Sequence, residues 1–298
     1  MRRAMRQHSS TDMRLWGLQL LLGFLAYLLG QIALLLTMVI GIGATGGGRL
    51  SSTSPTEVLS HPVAFLAGSI AAALVCLVAY RAAMQRLRRD GVPELAPLGA
   101  LREIGKGLAL GAAVVAISMG ILALLGVYQA SDIRWDTGAL GGLGSGILAG
   151  VGEEILVRGT LQRILTGFVG PLWALGIISA LFGASHILNA GATTLGIIAI
   201  ALEAGLLLGG AYLLTGRLWL PIGIHIAWNA VQGGVFGSTI SGIDGTRGLA
   251  RASWSGPELL TGGTMGMEGS LVTVIVGLIT GITLLVMAHR RGRLTRAE

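Results

Sequence analysis

The sequence predicts an all-α polytopic membrane protein, a bundle of about eight transmembrane helices, on three observations. The chain of 298 residues is 53% hydrophobic and only 12% charged, whereas soluble domains carry about a quarter charged residues. Its mean hydropathy is +0.76. It contains 49 glycines, which let membrane helices approach closely. The same composition excludes an ordinary soluble domain and an intrinsically disordered chain.

The predicted spans are apolar stretches, each long enough to cross a hydrocarbon core of about 30 Å. They cover residues 15–41, 63–80, 108–127, 140–165, 172–188, 194–214, 219–236 and 271–287. The first stretch is too long for the apolar region of a cleaved signal peptide, so we expect an uncleaved anchor.

The basic residues predict the orientation. Most of the 21 Lys and Arg residues lie before the first span, between the second and third spans, near the end of the fourth span, between the sixth and seventh spans, and after the last span. The positive-inside rule then places both termini in the cytoplasm of a multi-pass protein of the cell membrane. Topology and anionic lipid headgroups account for the net charge of +7, so we expect the lipid bilayer and no nucleic acid as a partner.

Ionisable and amide side chains inside spans four to seven are the strongest functional signal. A charged side chain at the bilayer centre costs roughly 2.5–3.5 kcal/mol, so a cluster of them predicts a functional site. The cluster comprises Glu153, Glu154, Arg158, His186, Glu203, His225 and Asn229.

The fourth span predicts different roles for its two glutamates. Three glycines precede Glu154 and Arg158 at intervals of four residues, so all share one helix face, and the glycines make that face a close-packing seam. Glu154 and Arg158 have the spacing and order of a helical salt bridge. Glu153 is rotated by about 100° and has no such partner, so we expect it to face a cavity.

Two further groups complete the predicted site. His225 and Asn229 are one turn apart on the seventh span, where they would supply two neutral hydrogen-bond donors suited to an oxyanion. His186 lies on the fifth span. Glu203, in the middle of the sixth span, is expected to pair with a histidine or with Arg158, or to face a wet cavity.

At these residues the sequence resembles the CAAX protease and bacteriocin-processing family of intramembrane endopeptidases, also called the abortive-infection family. The family motif E-E-x-x-x-R stands here at residues 153–158, F-x-x-x-H at residues 182–186, and H-x-x-x-N/D at residues 225–229. The resemblance covers residues 138–237. It implies a catalytic core there. The apolar spans alone predict three helices in 1–137 and an external loop and a last helix in 238–298. The Gly- and Ser-rich loop 237–267 is either a lid or, as we favour, a flexible connection.

The resemblance implies hydrolysis of a peptide bond in a membrane-associated peptide or protein. Glu153 would activate the water, with His186 sharing it, and His225 and Asn229 would stabilise the oxyanion. Glu154 and Arg158 would orient the site. No cofactor is expected, with zinc held by two histidines and a glutamate as the alternative.

Two other functions are considered. Membrane Glu, His and Arg also mark proton-coupled transporters, but these show related halves, and here the polar residues occupy one half of the chain. A non-catalytic membrane scaffold or immunity protein of the same fold is distinguished only by its lack of activity. Cys76 is the only cysteine, which excludes an internal disulfide and a cysteine-rich metal cluster.

Overall fold

The structure, a computed structural model, describes residues 2–44, 54–244 and 247–294, without the side chains of residues 2–12, 55 and 56. The α-helices of this part are α1 (Arg2–Ala44), α2 (Pro55–Leu59), α3 (Pro62–Leu87), α4 (Ala100–Leu124), α5 (Ala139–Glu154), α6 (Arg163–Val169), α7 (Pro171–Ala184), α8 (Thr194–Ile200), α9 (Leu206–Thr215), α10 (Trp219–Asn229), α11 (Glu258–Thr261) and α12 (Leu271–Arg290). Two short strands, β1 (Tyr128–Ile133) and β2 (Ala250–Trp254), form an antiparallel pair.

Seven helical stretches of the described residues are long and apolar enough to cross a membrane. They are Met13–Ala44, Pro62–Leu87, Ala100–Leu124, Ala139–Val169, Pro171–Leu188, Thr194–Thr215 and Leu271–Arg290, and they correspond to seven of the predicted spans. The remaining predicted span, 219–236, is the 11-residue helix α10 followed by six π-helical residues, and it is largely buried in the bundle. The all-α, multi-pass membrane fold is therefore confirmed.

The two faces of the bundle are defined by contacts between helix ends. Near the start of the first membrane-spanning stretch, Trp16 packs against Phe168, and just after the end of α12, Arg293 lies beside Gly216. We call this side the terminal face. The opposite face carries the β1–β2 pair and the segments 54–61, 189–193 and 237–270. Cytoplasmic termini stay a prediction, and Arg49 and Arg296, two of the charges behind it, lie outside the described residues.

Three of the described helical stretches contain a π-helical segment. These segments are Ile155–Gln162 after α5, Ala201–Gly205 between α8 and α9, and Ala230–Val235 after α10. Such π-turns are frequent at functional sites. Two of the three begin directly after residues of the predicted site, Glu154 and Asn229, and the third contains Glu203.

Helix α10 is held by glycines of two neighbouring helices. A Cβ added at Gly111 of α4 would meet the main chain of Ile224, and one added at Gly146 of α5 would meet the main chain of Ile226. The first seam glycine, Gly142, likewise approaches the backbone of Gly234. The glycine seam read from the sequence thus packs on the helix that carries the second predicted histidine.

The described residues of the long connection before α12, 237–244 and 247–270, pack against one another and against the bundle, which differs from the flexible connection favoured by its composition. Met265 and Met267 are fully buried. The amide of Gly242 donates to the carbonyl of Met265 at 3.3 Å, and Gly191 donates to Gly242 at 2.9 Å. The glycines serve close backbone approach and tight turns, so composition alone misidentified this segment as flexible.

Candidate active site

The predicted ion pair on the fourth span is present and has a third member. Arg158 Nη1 donates to Glu154 Oε1 at 2.8 Å, and His225 Nδ1 lies 2.9 Å from the same oxygen. Glu154 and Arg158 are both fully buried, and His225 is 7% exposed. Glu154 therefore joins the helix of the first motif to the helix of the third.

This contact determines which nitrogen of His225 is available. A carboxylate oxygen only accepts hydrogen bonds, so Nδ1 carries the proton that it shares with Glu154. A neutral ring would then present an unprotonated Nε2, and only the imidazolium form donates from Nε2. The neutral donor expected from the sequence is therefore not compatible with the ring as Glu154 holds it.

Four of the predicted residues line one cavity of about 650 Å³. These are Glu153, His186, His225 and Asn229. Glu154 and Arg158 are not among the residues that line it. Within the described part of the chain, the carboxylate of Glu153 has no hydrogen-bond or ion-pair partner. The structure thus separates the two adjacent glutamates, one exposed to the cavity and one bound behind its wall.

The proton position of His186 is also fixed by a neighbour. Its Nδ1 lies 2.8 Å from the carbonyl oxygen of Phe182, one helical turn earlier. Since a carbonyl accepts, Nδ1 carries the proton and Nε2 of the neutral ring retains its lone pair. His186 is partly exposed, and its Nε2 is therefore suited to accept a hydrogen bond from water.

The ring of Phe182 connects the three motifs. The guanidinium carbon of Arg158 lies 4.4 Å from its centroid. The rings of His186 and His225 lie 5.2 and 6.1 Å from it, both in edge-to-face orientation. Arg158 Nε and Nη2 have no hydrogen-bond partner in the described residues, so the aromatic face is their principal contact. The phenylalanine of the second motif is thus a packing partner that sequence spacing alone did not assign.

Glu268 is a buried acid that the sequence analysis missed. Its Oε1 accepts from the indole of Trp228 at 3.0 Å, and its Oε2 accepts from the amide of Ser241 at 2.5 Å. It lines a small cavity that also contacts His186 and His225. No signal in the sequence indicated this residue, because it lies outside the apolar spans in a Gly-rich segment.

Glu203 does not join the site as expected. It is fully buried, and neither carboxylate oxygen has a hydrogen-bond partner among the described residues. It is not among the residues that line either cavity. Its backbone is approached by Gly277 of α12. It pairs neither with a histidine nor with Arg158.

The zinc alternative has no preformed set of three ligands among the described residues. A catalytic zinc site needs three converging protein ligands and an open position. Among the described residues, no three His, Cys, Asp or Glu side chains are placed to hold a metal ion. The Nδ1 atoms of both histidines contact Glu154 and the carbonyl of Phe182, so Nε2 is the atom of each ring that is left to bind a metal.

The fold and the site together define a polytopic membrane protein with an acid–histidine cavity inside its helical bundle. Residues 135–231 match the sequence model of the family described as "Rce1-like: Type II CAAX prenyl endopeptidase Rce1-like". The matched segment contains all three motifs, and the match confirms the resemblance to the CAAX protease and bacteriocin-processing family. No curated protein and no solved structure matches the chain.

Proposed function

We propose that this protein is an intramembrane endopeptidase that hydrolyses a peptide bond of a membrane-associated protein or peptide with a water activated by Glu153. One observation carries the proposal: an unpaired carboxylate, two histidines and an amide line one cavity, while a buried Glu–Arg pair holds one of the histidines from behind. The family match over residues 135–231 supports the same reaction class.

Attack on the peptide bond begins with a water between Glu153 and His186. Nε2 of His186 accepts one hydrogen bond from this water, which orients it. The carboxylate of Glu153 takes the other proton as a general base. The resulting hydroxide attacks the carbonyl carbon, and the carbonyl oxygen becomes the oxyanion of a tetrahedral intermediate.

The oxyanion is stabilised by His225 and Asn229. The amide of Asn229 donates one hydrogen bond, and the imidazolium of His225 donates a second from Nε2. Charge balance favours the imidazolium, since two carboxylates, Glu153 and Glu154, face one guanidinium, Arg158, in a site of low dielectric constant. Protonated His225 makes this cluster neutral. Fixed donors aimed at developing charge are among the largest contributions to catalysis.

Collapse of the intermediate completes the reaction. Glu153 returns its proton to the leaving nitrogen, and the C–N bond breaks. The products are a new carboxyl terminus and a new amino terminus, and Glu153 is again a carboxylate. Apolar side chains such as Leu148, Leu156 and Ile178 line the rest of the cavity, which suits an extended hydrophobic segment.

The test is cleavage of a fluorescence-quenched hydrophobic peptide library by the purified protein in detergent. Glu153→Gln should abolish cleavage while the protein stays folded. The matched control is Glu258→Gln, an exposed glutamate in α11, which should cleave as the wild type does. Undiminished cleavage by Glu153→Gln would refute the mechanism, and folded wild-type protein that cleaves no peptide would favour the non-catalytic alternative. Loss of wild-type cleavage after exhaustive chelation, restored by zinc, would contradict the metal-free reaction.

A further inference from the structure

The lining of the cavity reaches the face opposite the termini. Its rim is formed by residues from three connections on that face, namely Val58, Leu59, Asn189, Ile240, Ser241 and Ile243. None of the residues that line the cavity belongs to 84–99, 163–169, 216–219 or 290–294, the described helix ends and connections of the terminal face. Along the membrane normal, the described lining therefore reaches the opposite face and does not reach the terminal face.

A buried polar network closes the terminal face beneath the site. The hydroxyl of Tyr80 lies 2.6 Å from the carbonyl oxygen of Gly159 and 2.7 Å from Glu94 Oε1. Arg163 donates from Nη2 to Gln19 Oε1 and from Nε to the carbonyl of Gly159, each at 2.8 Å. These contacts tie α1, α3 and α6 to the π-helical segment that carries Arg158, so this side of the bundle is packed shut.

The rim is fixed to the bundle rather than loosely attached. Asn189 Nδ2 donates to the carbonyl of Ser241 at 2.7 Å, and the backbone amide of Ser241 donates to Glu268. Ser241 has a φ of 48°, a left-handed conformation that is uncommon for a residue other than glycine. Two side chains from different parts of the chain thus hold this turn at the mouth of the cavity.

We propose that the substrate reaches Glu153 from the face opposite the termini, which the distribution of basic residues makes the non-cytoplasmic face. The substrate class is then a membrane-anchored polypeptide whose cleaved segment lies at or outside the outer boundary of the membrane. Among the described residues that line the cavity, Glu153 is the only acidic one and none is Lys or Arg, so we expect the residues flanking the scissile bond to be apolar and uncharged. The cleavage part of this inference rests on the proposed function, whereas the direction of the opening does not.

The test uses three single cysteines in a Cys76→Ala background, which is free of thiols because Cys76 is the only cysteine. Ser145→Cys lies in the cavity, eight residues before Glu153, or roughly 12 Å nearer the opposite face. Ser255→Cys marks that face outside the cavity, and Leu98→Cys, at a residue 88% exposed, marks the terminal face. Intact cells are treated with a membrane-impermeant maleimide before and after permeabilisation.

Labelling of Ser145→Cys and Ser255→Cys in intact cells, with Leu98→Cys labelled only after permeabilisation, is the expected result. Labelling of Ser145→Cys only together with Leu98→Cys would overturn the proposal, and so would labelling of Leu98→Cys in intact cells. Neither outcome depends on enzymatic activity. Prior labelling of Ser145→Cys should also reduce peptide cleavage at least tenfold, whereas labelling of Ser255→Cys should not. Absence of cleavage with the expected labelling would count against the proposed function alone.

Discussion

The adjacent residues Glu153 and Glu154 offer a direct test of the site, because the same substitution should have different effects on stability at the two positions. Glu154→Gln removes the negative charge that faces a guanidinium with no exposure to solvent and that also holds His225 at 2.9 Å. Glu153→Gln removes a carboxylate that has no partner in the described residues. Both variants should lose activity, but only Glu154→Gln should lose stability.

The expected difference in Tm between the two variants follows from the burial of the Glu154–Arg158 ion pair. Removing one partner of a buried ion pair costs about 3–5 kcal/mol, because the other charge is left uncompensated. At about 2–4 °C per kcal/mol, Glu154→Gln should lower the Tm by at least about 6 °C. Glu153→Gln removes one of two neighbouring negative charges, so its Tm should be unchanged or slightly higher.

Cys76 provides the assay without further engineering. It is the only cysteine, it is 2% exposed, and it lies in the middle of α3, so a thiol-reactive fluorogenic dye reports its exposure on unfolding. Melting curves of the wild type and the two variants are recorded in one detergent at one pH. Equal Tm values for Glu153→Gln and Glu154→Gln would refute the division of roles between the two carboxylates, as would a larger loss for Glu153→Gln.

Three further predictions address the oxyanion donor, the closed face and the strand pair. Asn229→Ala should lower kcat on the order of a hundredfold, as loss of an oxyanion donor does, with little change in KM or Tm; an effect on KM alone would contradict the assigned role. Tyr80→Phe should cost about 0.5–1.5 kcal/mol, the net contribution of one hydrogen bond, because Arg163 still donates to the carbonyl of Gly159 in the variant; an unchanged Tm in the dye assay would count against the contact of the hydroxyl. The backbone amide of Gly138 and the guanidinium of Arg251 hold the pKa of Asp136 below its usual range. The resulting stabilisation of the loop is present above the unfolded pKa of about 3.9 and is lost as the pH falls through the folded value. Proteolysis of segment 237–270 should therefore accelerate on acidification below about pH 4 in the wild type but not in Asp136→Asn.

Local spacing was enough to predict the features that depend on one helix. The Glu154–Arg158 pair and the seam beginning at Gly142 follow from a repeat of four residues, which needs only helical geometry. The orientation of Glu153 away from that pair follows from the same geometry. These features occur in the structure because neighbouring helices pack on the face that the glycines leave open.

Contacts between helices that are distant in sequence could not be predicted in this way. Glu154 and His225 are 71 residues apart, and their contact changes the protonation form in which the histidine can serve. The contact of Tyr80 with the carbonyl of Gly159 joins residues 79 positions apart, and no pattern of residue types indicated it. Glu268 reaches the site only because the Gly-rich connection folds back over the bundle.

The close backbone contacts of α10 have a consequence for altering cleavage preference. The backbone of this helix packs directly against Gly111 on one neighbour and Gly146 on another, with no side chain between them. The helix that carries the two proposed oxyanion donors therefore has little room to shift. The turn at Ser241, by contrast, is held at the rim of the same cavity by individual side-chain hydrogen bonds. Variant libraries of this protein that aim at new cleavage preferences should vary the turn at Ser241 and leave α10 and the glycines packed against it unchanged.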